Sequence, residues 1–407
     1  RHTAHIPRVP REAPQPTSPA PAFALPDDGL SPGARQPAGG WRGVVPRMLP
    51  APVRDFTGRA AQTAVARRTL CGDPSDGAQS RDLVITGPMG TGKSALAMHA
   101  ARLSRAAFPD GQLHADLGGE TAAPREPTEV LGWFLRALGV PEGRLPASQE
   151  ERGQLYRSLL AGRRMLVVLD NAVDDRQVRP LLPGDTDCRA LVTGRRALAS
   201  LEGTRLIVLG AMEEAEALRL LSGVIGERRV AAEWEAARRI VRYCDRLPLA
   251  LRAAAARLVA CPERSLALLA ARLAPASRRL DELRAGSLDM RAALEAGYRR
   301  LSASTRAALG ALARSGAPCF DTREAAAVLA VGERDAEEAL EELLAARLVE
   351  EAGGGQPTYV LRPLVRLYAV ERADGPAGGT PGAVRRVVPA AGRQSTAAAR
   401  VPLVEAI

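Results

Sequence analysis

The chain has 407 residues, 46% of them hydrophobic but only 3% aromatic, so it can bury two or three compact cores filled mainly by Leu, Val and Ala. Its formal charge of +10 rests on 56 basic residues, all arginine except Lys93, and their dispersal along the chain argues against a basic nucleic-acid face. The five cysteines (Cys71, Cys188, Cys244, Cys261 and Cys319) form no CxxC pair and the four histidines no ligand spacing, which excludes a disulfide framework and a zinc site.

The cysteines are expected to be buried small hydrophobes. No apolar run reaches membrane-spanning length and the Pro-rich start is no signal peptide, so a soluble cytoplasmic chain without a membrane partner is expected. Residues 1–50, rich in Pro, Ala and Gly, are predicted to be a disordered linker. A first residue of Arg1 suggests a fragment, a processed chain or an engineered product.

Residues 51–210 alternate β-rich runs with helical stretches: "DLVIT" at 82–86, "QLHADL" at 112–117, "MLVVLD" at 165–170, "ALVT" at 190–193 and "RLIVL" at 205–209. This alternation predicts an α/β domain with a parallel sheet and flanking crossover helices. Runs as continuously apolar as "MLVVL" are what a sheet covered on both faces needs.

Within it, "LVITGPMGTGKSALAMHAA" reads as strand, glycine loop and helix, the context that makes a P-loop match specific. Backbone N–H groups from Gly87, Pro88, Met89, Gly90, Thr91, Gly92, Lys93, Ser94 and Ala95 would line a phosphate cradle, Pro88 excepted because it lacks the N–H. Lys93 would reach the β and γ phosphates, and Ser94 would offer its hydroxyl to Mg²⁺. That the one lysine retained stands where a planar guanidinium would not fit strengthens the match.

Asp170, at the end of "MLVVLDNA", is placed to hold the Mg²⁺ shell. Asn171 follows it in place of a second carboxylate, so the usual general base is absent and hydrolysis is expected to be slow. Arg195, in "ALVTGRR", stands at the same sheet edge and could touch a γ-phosphate; a solvated arginine pair reads nearly as well.

Residues 211–286 turn purely helical, with apolar positions three and four apart, and predict a helical bundle. Residues 287–373 predict helices and two β segments around a Gly-rich turn, as in a winged-helix domain; 374–407 are expected to be disordered. The helix "GERDAEEALEELLAARL" is too acidic to approach phosphates, so this domain is expected to regulate within the chain rather than bind DNA.

The order of "DFTGR" (55–59), the P-loop, "VVLDNA", "VTGRR", "DRLPLAL" (245–251) and "YVLRPLVRLYAVERA" resembles the NB-ARC class of STAND signalling ATPases. The likeness runs from Pro50 to Ala373 and is closest to the ATPase core of AfsR-type (SARP) transcriptional regulators. That resemblance implies that Pro248 packs on the adenine, that the arm around Phe56 and Arg59 closes over the nucleotide, and that Arg195 senses the γ-phosphate. It also implies ATP/ADP exchange, self-association in the ATP state, and DNA binding only through a module not visible in this chain. Three positions depart from the pattern. Asp245 and Arg246 replace a Gly-rich pair, Ala60 replaces an acid, and Arg362 with Pro363 stands where a His-Asp pair contacts ADP, leaving Arg362 as the phosphate partner there.

A nucleotide-dependent switch is therefore expected, with slow Mg²⁺-dependent ATP hydrolysis. A dedicated NTPase or kinase and an ADP-locked interaction scaffold stand as alternatives.

Overall fold

The computed structural model describes residues 45–374, apart from 52, 54, 73–81, 120, 122, 185, 186, 197, 199 and 353–356. The predicted linker up to residue 44 and the predicted tail from 375 onward lie outside the described residues. The described residues all fall within one compact unit.

Five apolar runs form the strands β1 (Asp82–Thr86), β2 (Gly111–Asp116), β3 (Met165–Ala172), β4 (Arg189–Gly194) and β5 (Thr204–Val208), within two residues of their predicted limits. They make one parallel sheet in the order β2-β3-β4-β1-β5. Successive side chains leave a strand on opposite faces, and both faces are covered. Leu83, Ile85, Leu166, Val168 and Leu191 pack with Leu70 and Leu96 of the helices Ala60–Cys71 and Lys93–Leu103. Val84, Val167, Leu169 and Val192 pack on the other side with Phe134 and Tyr156 of the helices Pro127–Ala137 and Gln149–Leu160. From β1 the chain passes to β2 at the far edge, so the strand order reverses beside β1 and a crevice opens at the carboxyl ends of the strands.

The edge of β2 corrects the linker expectation for residues 45–50. Gln112 donates its N–H to Pro46 O at 2.8 Å, and its carbonyl accepts from Met48 N at 3.0 Å. An open strand edge offers unpaired N–H and C=O groups to any extended segment, and this Pro-containing stretch can take that place without donating from its prolines.

Beyond β5 come six helices between Glu214 and Glu282, then five more from Met290 to Asp374 with a three-stranded antiparallel sheet. In that sheet Thr358–Val360 lies between Cys319–Phe320 and Glu350–Ala352. One apolar cluster runs continuously from Met212 to Ala369, and Met89 of the glycine loop belongs to it. The loop is thereby tied to the helical part as well as to the sheet. Only Cys188 and Cys244 are buried; Cys71, Cys261 and Cys319 are exposed, the first two at the ends of the helices Ala60–Cys71 and Pro248–Ala260.

Candidate functional site

The glycine loop joins β1 to the helix Lys93–Leu103 and takes a shape that side chains would block. Gly87 has φ 151° and a Cβ there would lie 2.2 Å from Leu209 O; Gly90 and Gly92 have φ 74° and 86°. Lys93, 6% exposed, curls back so that Nζ donates to Pro88 O at 3.0 Å. Thr91 Oγ1 donates to the same carbonyl at 2.8 Å. The loop is therefore held in an open ring with its lysine inside it.

The other strand ends converge on this ring. Asp170, 8% exposed, accepts from Thr193 Oγ1 at the end of β4. Asn171 is turned out of β3 at φ 56°, where the pairing with β4 shifts register. A left-handed asparagine is tolerated better than most residues and marks a position the surroundings hold in place. His114 and Asp116 of β2 face the same space, and burial pushes the His114 imidazole down against the opposing charges of Asp170 and Asp116.

The resulting cleft has a volume of about 590 Å³, within the range of small-molecule sites. It is lined by the polar Lys93, Ser94, Asp170 and Asn171 and by the apolar Phe56, Met98, Met212, Leu220 and Pro248. Phe56 stacks on His99 with ring centroids 4.2 Å apart. Arg59, 7% exposed, donates from Nη2 to Gly210 O at 2.5 Å, while its backbone N–H donates to Glu216 Oε1 at 2.8 Å. Burial lowers its guanidinium from the usual range, with Glu216 and Glu213 opposing. Leu249 N donates to Gly90 O at 3.1 Å, so the helix beginning at Pro248 docks directly on the loop.

Of the sequence-predicted residues, Phe56, Arg59, Gly90 to Ala95, Asp170 and Pro248 thus meet at one cleft, whereas Pro88 and Met89 are turned behind the loop and Gly87 does not line the cleft. Arg195, 8% exposed, lines an adjoining chamber of about 110 Å³ together with Lys93 and Asn171. Arg362 is not brought to either space. Its Nη2 donates to Glu350 Oε2 at 2.7 Å, its Nε to Glu350 Oε1 at 2.5 Å, and its Nη1 lies 3.9 Å from Asp245 Oδ1. Burial works against its charge, but the Glu350 hydrogen bonds and the nearby carboxylates more than restore it. The chain-order reading of Arg362 as a phosphate partner overlooked a carboxylate twelve residues upstream, which the hairpin brings opposite it.

Two groups missing from the sequence reading of the site are Asp116 and Arg347. Asp116 Oδ1 accepts from Asn171 Nδ2 at 3.2 Å and from Gly118 N at 2.9 Å. Arg347, at φ 56° after the helix Glu333–Ala345, donates from Nε to Arg195 O at 2.9 Å, and burial lowers its guanidinium. The only prior signal for Asp116 was its place at the end of an apolar run, like Asp170.

The donor set suits a nucleotide with Mg²⁺. Ser94 and Asp170 present hard oxygens beside the lysine, and among the described residues no group of three or more His, Cys, Asp or Glu forms a self-sufficient metal cage.

Two curated relatives match the chain closely. It is 47% identical over 327 residues to the regulatory protein AfsR of Streptomyces coelicolor, covering 80% of this chain and 33% of that protein. It is 44% identical over 344 residues to the AfsR of Streptomyces griseus, covering 84% of this chain and 35% of that one. The chain therefore spans about a third of the length of the curated relatives it matches. Among solved structures it has a loose likeness to a STAND protein with a tetratricopeptide repeat sensor from Pyrococcus horikoshii, at 17% identity and a TM-score of 0.37 over 80% of this chain and 44% of that one. No family model matches the chain. No helix of the described residues is long and apolar enough to cross a membrane. With relatives of that identity over 80–84% of this chain, the likeness to AfsR-type regulators read from motif order stands, and the chain is an AfsR-like P-loop segment.

Proposed function

We propose that the chain is the nucleotide-responsive core of a transcriptional regulator, alternating between ADP and ATP states and hydrolysing ATP slowly. The observation that carries this reading is the single cleft on which the glycine loop, Asp170, Asn171, Phe56, Arg59 and Pro248 converge. In it the apolar lining would take the base, with Pro248 against the adenine, and the loop N–H groups and Lys93 would take the phosphates. Ser94 and Asp170 would hold Mg²⁺, which when bound neutralises phosphate charge. Arg195, in the adjoining chamber, would meet the γ-phosphate.

The five terminal helices and their small antiparallel sheet would act as a winged-helix regulatory domain, consistent with the order of elements. Glu337, Glu338 and Glu341 are exposed on the helix Glu333–Ala345, a face unsuited to DNA phosphates. DNA contact would come from elsewhere in a longer protein, and self-association would accompany the ATP state. Exposure of a surface now held against the sheet edge by Arg347 would provide the link.

Protein purified, denatured and assayed for released nucleotide tests the reading: adenine nucleotide in stoichiometric amount is expected, and none at all, with no affinity for added ATP, would overturn it. Light scattering with ADP and with a non-hydrolysable ATP analogue tests the assembly; equal sizes would remove that part. The Arg347 contact to the Arg195 carbonyl favours a second reading, a scaffold locked around ADP. Failure of bound ADP to exchange with ATP would select it.

A further inference from the structure

The sequence leaves hydrolysis without a general base, because Asn171 stands where a second carboxylate would be. The structure shows how tightly that asparagine is held. Its N–H donates to Thr193 Oγ1 at 3.0 Å, its carbonyl accepts from Gly119 N at 2.7 Å, and its Nδ2 donates to Asp116 Oδ1 at 3.2 Å. Gly119 has no room for a side chain, since a Cβ would lie 2.2 Å from Asn171 O. The Asp116 carboxylate is itself held by Gly118 N at 2.9 Å. Asp116 and Asp170 are direct register partners on β2 and β3, so the pair sits beside the residue placed to hold Mg²⁺.

A carboxylate offers only acceptors and an amide offers one donor end and one acceptor end. With Nδ2 committed to Asp116, the amide cannot turn over without facing oxygen to oxygen, and its Oδ1 is left as an acceptor. Asn171 lines both the cleft and the chamber that holds Arg195. We propose that Asn171 orients the attacking water through Oδ1 and that Asp116 is the positioning residue that fixes the amide in that sense. The inference rests on the nucleotide reading of the cleft.

The reaction then needs no protein base. The water oxygen forms a bond to the γ-phosphorus as the bond from that phosphorus to the β,γ-bridging oxygen breaks. ADP leaves with the electron pair of the broken bond, and the water proton passes to the released phosphate. A neutral amide holding water supplies orientation without taking a proton, which matches slow turnover.

The test uses the full chain, a fluorescent ATP analogue to read binding and phosphate release to read turnover. Asp116→Ala removes the acceptor, leaves the Asn171 amide free to flip and should slow phosphate release by about 10²-fold while leaving ATP affinity unchanged. Asn171→Ala should slow it as much. Asp116→Asn keeps an oxygen that accepts from both Gly118 N and Asn171 Nδ2, so release should stay near the wild-type rate; a role for the Asp116 charge itself would not predict that rescue. Unchanged release in Asp116→Ala, or an Asp116→Asn variant as slow as Asp116→Ala with ATP binding intact, would overturn the proposal. A wild-type chain that binds ATP and releases no phosphate would also overturn it while leaving the nucleotide reading intact, whereas failure to bind ATP removes both.

Discussion

Arg347 Nε donates to the backbone carbonyl of Arg195 across 152 positions of sequence, and Arg347 Nη2 lies 3.5 Å from Thr86 Oγ1, which itself donates to that carbonyl at 2.6 Å. The carboxyl ends of β1 and β4 are thereby fastened to the terminal helical region by one side chain. Two further contacts extend the fastening: Glu350 pairs with Arg362, and Arg362 approaches Asp245 in the turn before Pro248. Any movement of Arg195 toward a γ-phosphate would strain the first of these bonds.

Arg347→Met keeps the apolar stem and removes the guanidinium, so it should destabilise the chain by about 1–2 kcal/mol, the worth of a hydrogen bond from a charged donor. Hydrogen exchange in the helix Glu333–Ala345 should rise in the ADP form toward the level of the form with an ATP analogue. An unchanged exchange pattern, with the expected loss of melting temperature, would show that the contact contributes stability without linking the two regions.

Lys93→Ala should abolish ATP binding and spare the fold. Its Nζ donates to Pro88 O, a carbonyl that Thr91 Oγ1 also serves, so the loop keeps a donor there. Titration with a fluorescent ATP analogue and far-UV circular dichroism check the two halves. Retained affinity would remove Lys93 from the phosphate site.

Much of this was legible in the sequence because its signals are local. The five strands announce themselves as apolar runs, and the glycine loop is a contiguous motif whose lysine has no rival in the chain. The pairing of Asp116 with Asn171 was not legible, since 55 residues separate them and only the β2-β3 register brings them together. Arg362 was assigned to a phosphate because it stands where the resemblance places a His-Asp pair and arginine suits that geometry, but the hairpin supplied Glu350. The left-handed pair Asp245 and Arg246 was hidden for a different reason: neither residue type advertises positive φ as glycine does.

Asp245 makes a pH prediction. Burial pushes its carboxyl up, while Arg362, the Leu364 N–H and Arg246 pull it down and Glu350 adds to the rise; Arg279 also lies near enough to feel its charge. A raised folded value means that stabilisation from the protonated form is full below the unfolded value of about 3.9 and is lost as pH rises through the folded one. At neutral pH the buried charge is therefore a net cost. Asp245→Asn keeps an acceptor for Leu364 and tolerates the left-handed backbone, so it should raise the melting temperature near neutrality, with the advantage fading as pH falls into the acid range. An advantage that grew toward acid would reverse the assignment.

Arg246 and Arg347 share a left-handed backbone, with φ 54° and 56°, yet glycine should act oppositely at the two. At Arg246 the side chain is exposed, and the residue's backbone makes the bonds, accepting from Met212 N at 3.0 Å and donating to Val241 O at 3.1 Å. Arg246→Gly keeps both and relieves roughly 1–2 kcal/mol of left-handed strain. Part of that gain, about 0.5–1 kcal/mol, is offset by the freedom glycine adds to the unfolded chain. A small net rise in stability is expected. Arg347→Gly relieves the same strain and suffers the same offset, but it also removes the donor that holds Arg195 O, so it should lower stability. Chemical denaturation of the two variants decides the matter: changes of the same sign would mean that backbone strain, and not the Arg347 guanidinium, governs how the terminal region is held to the sheet.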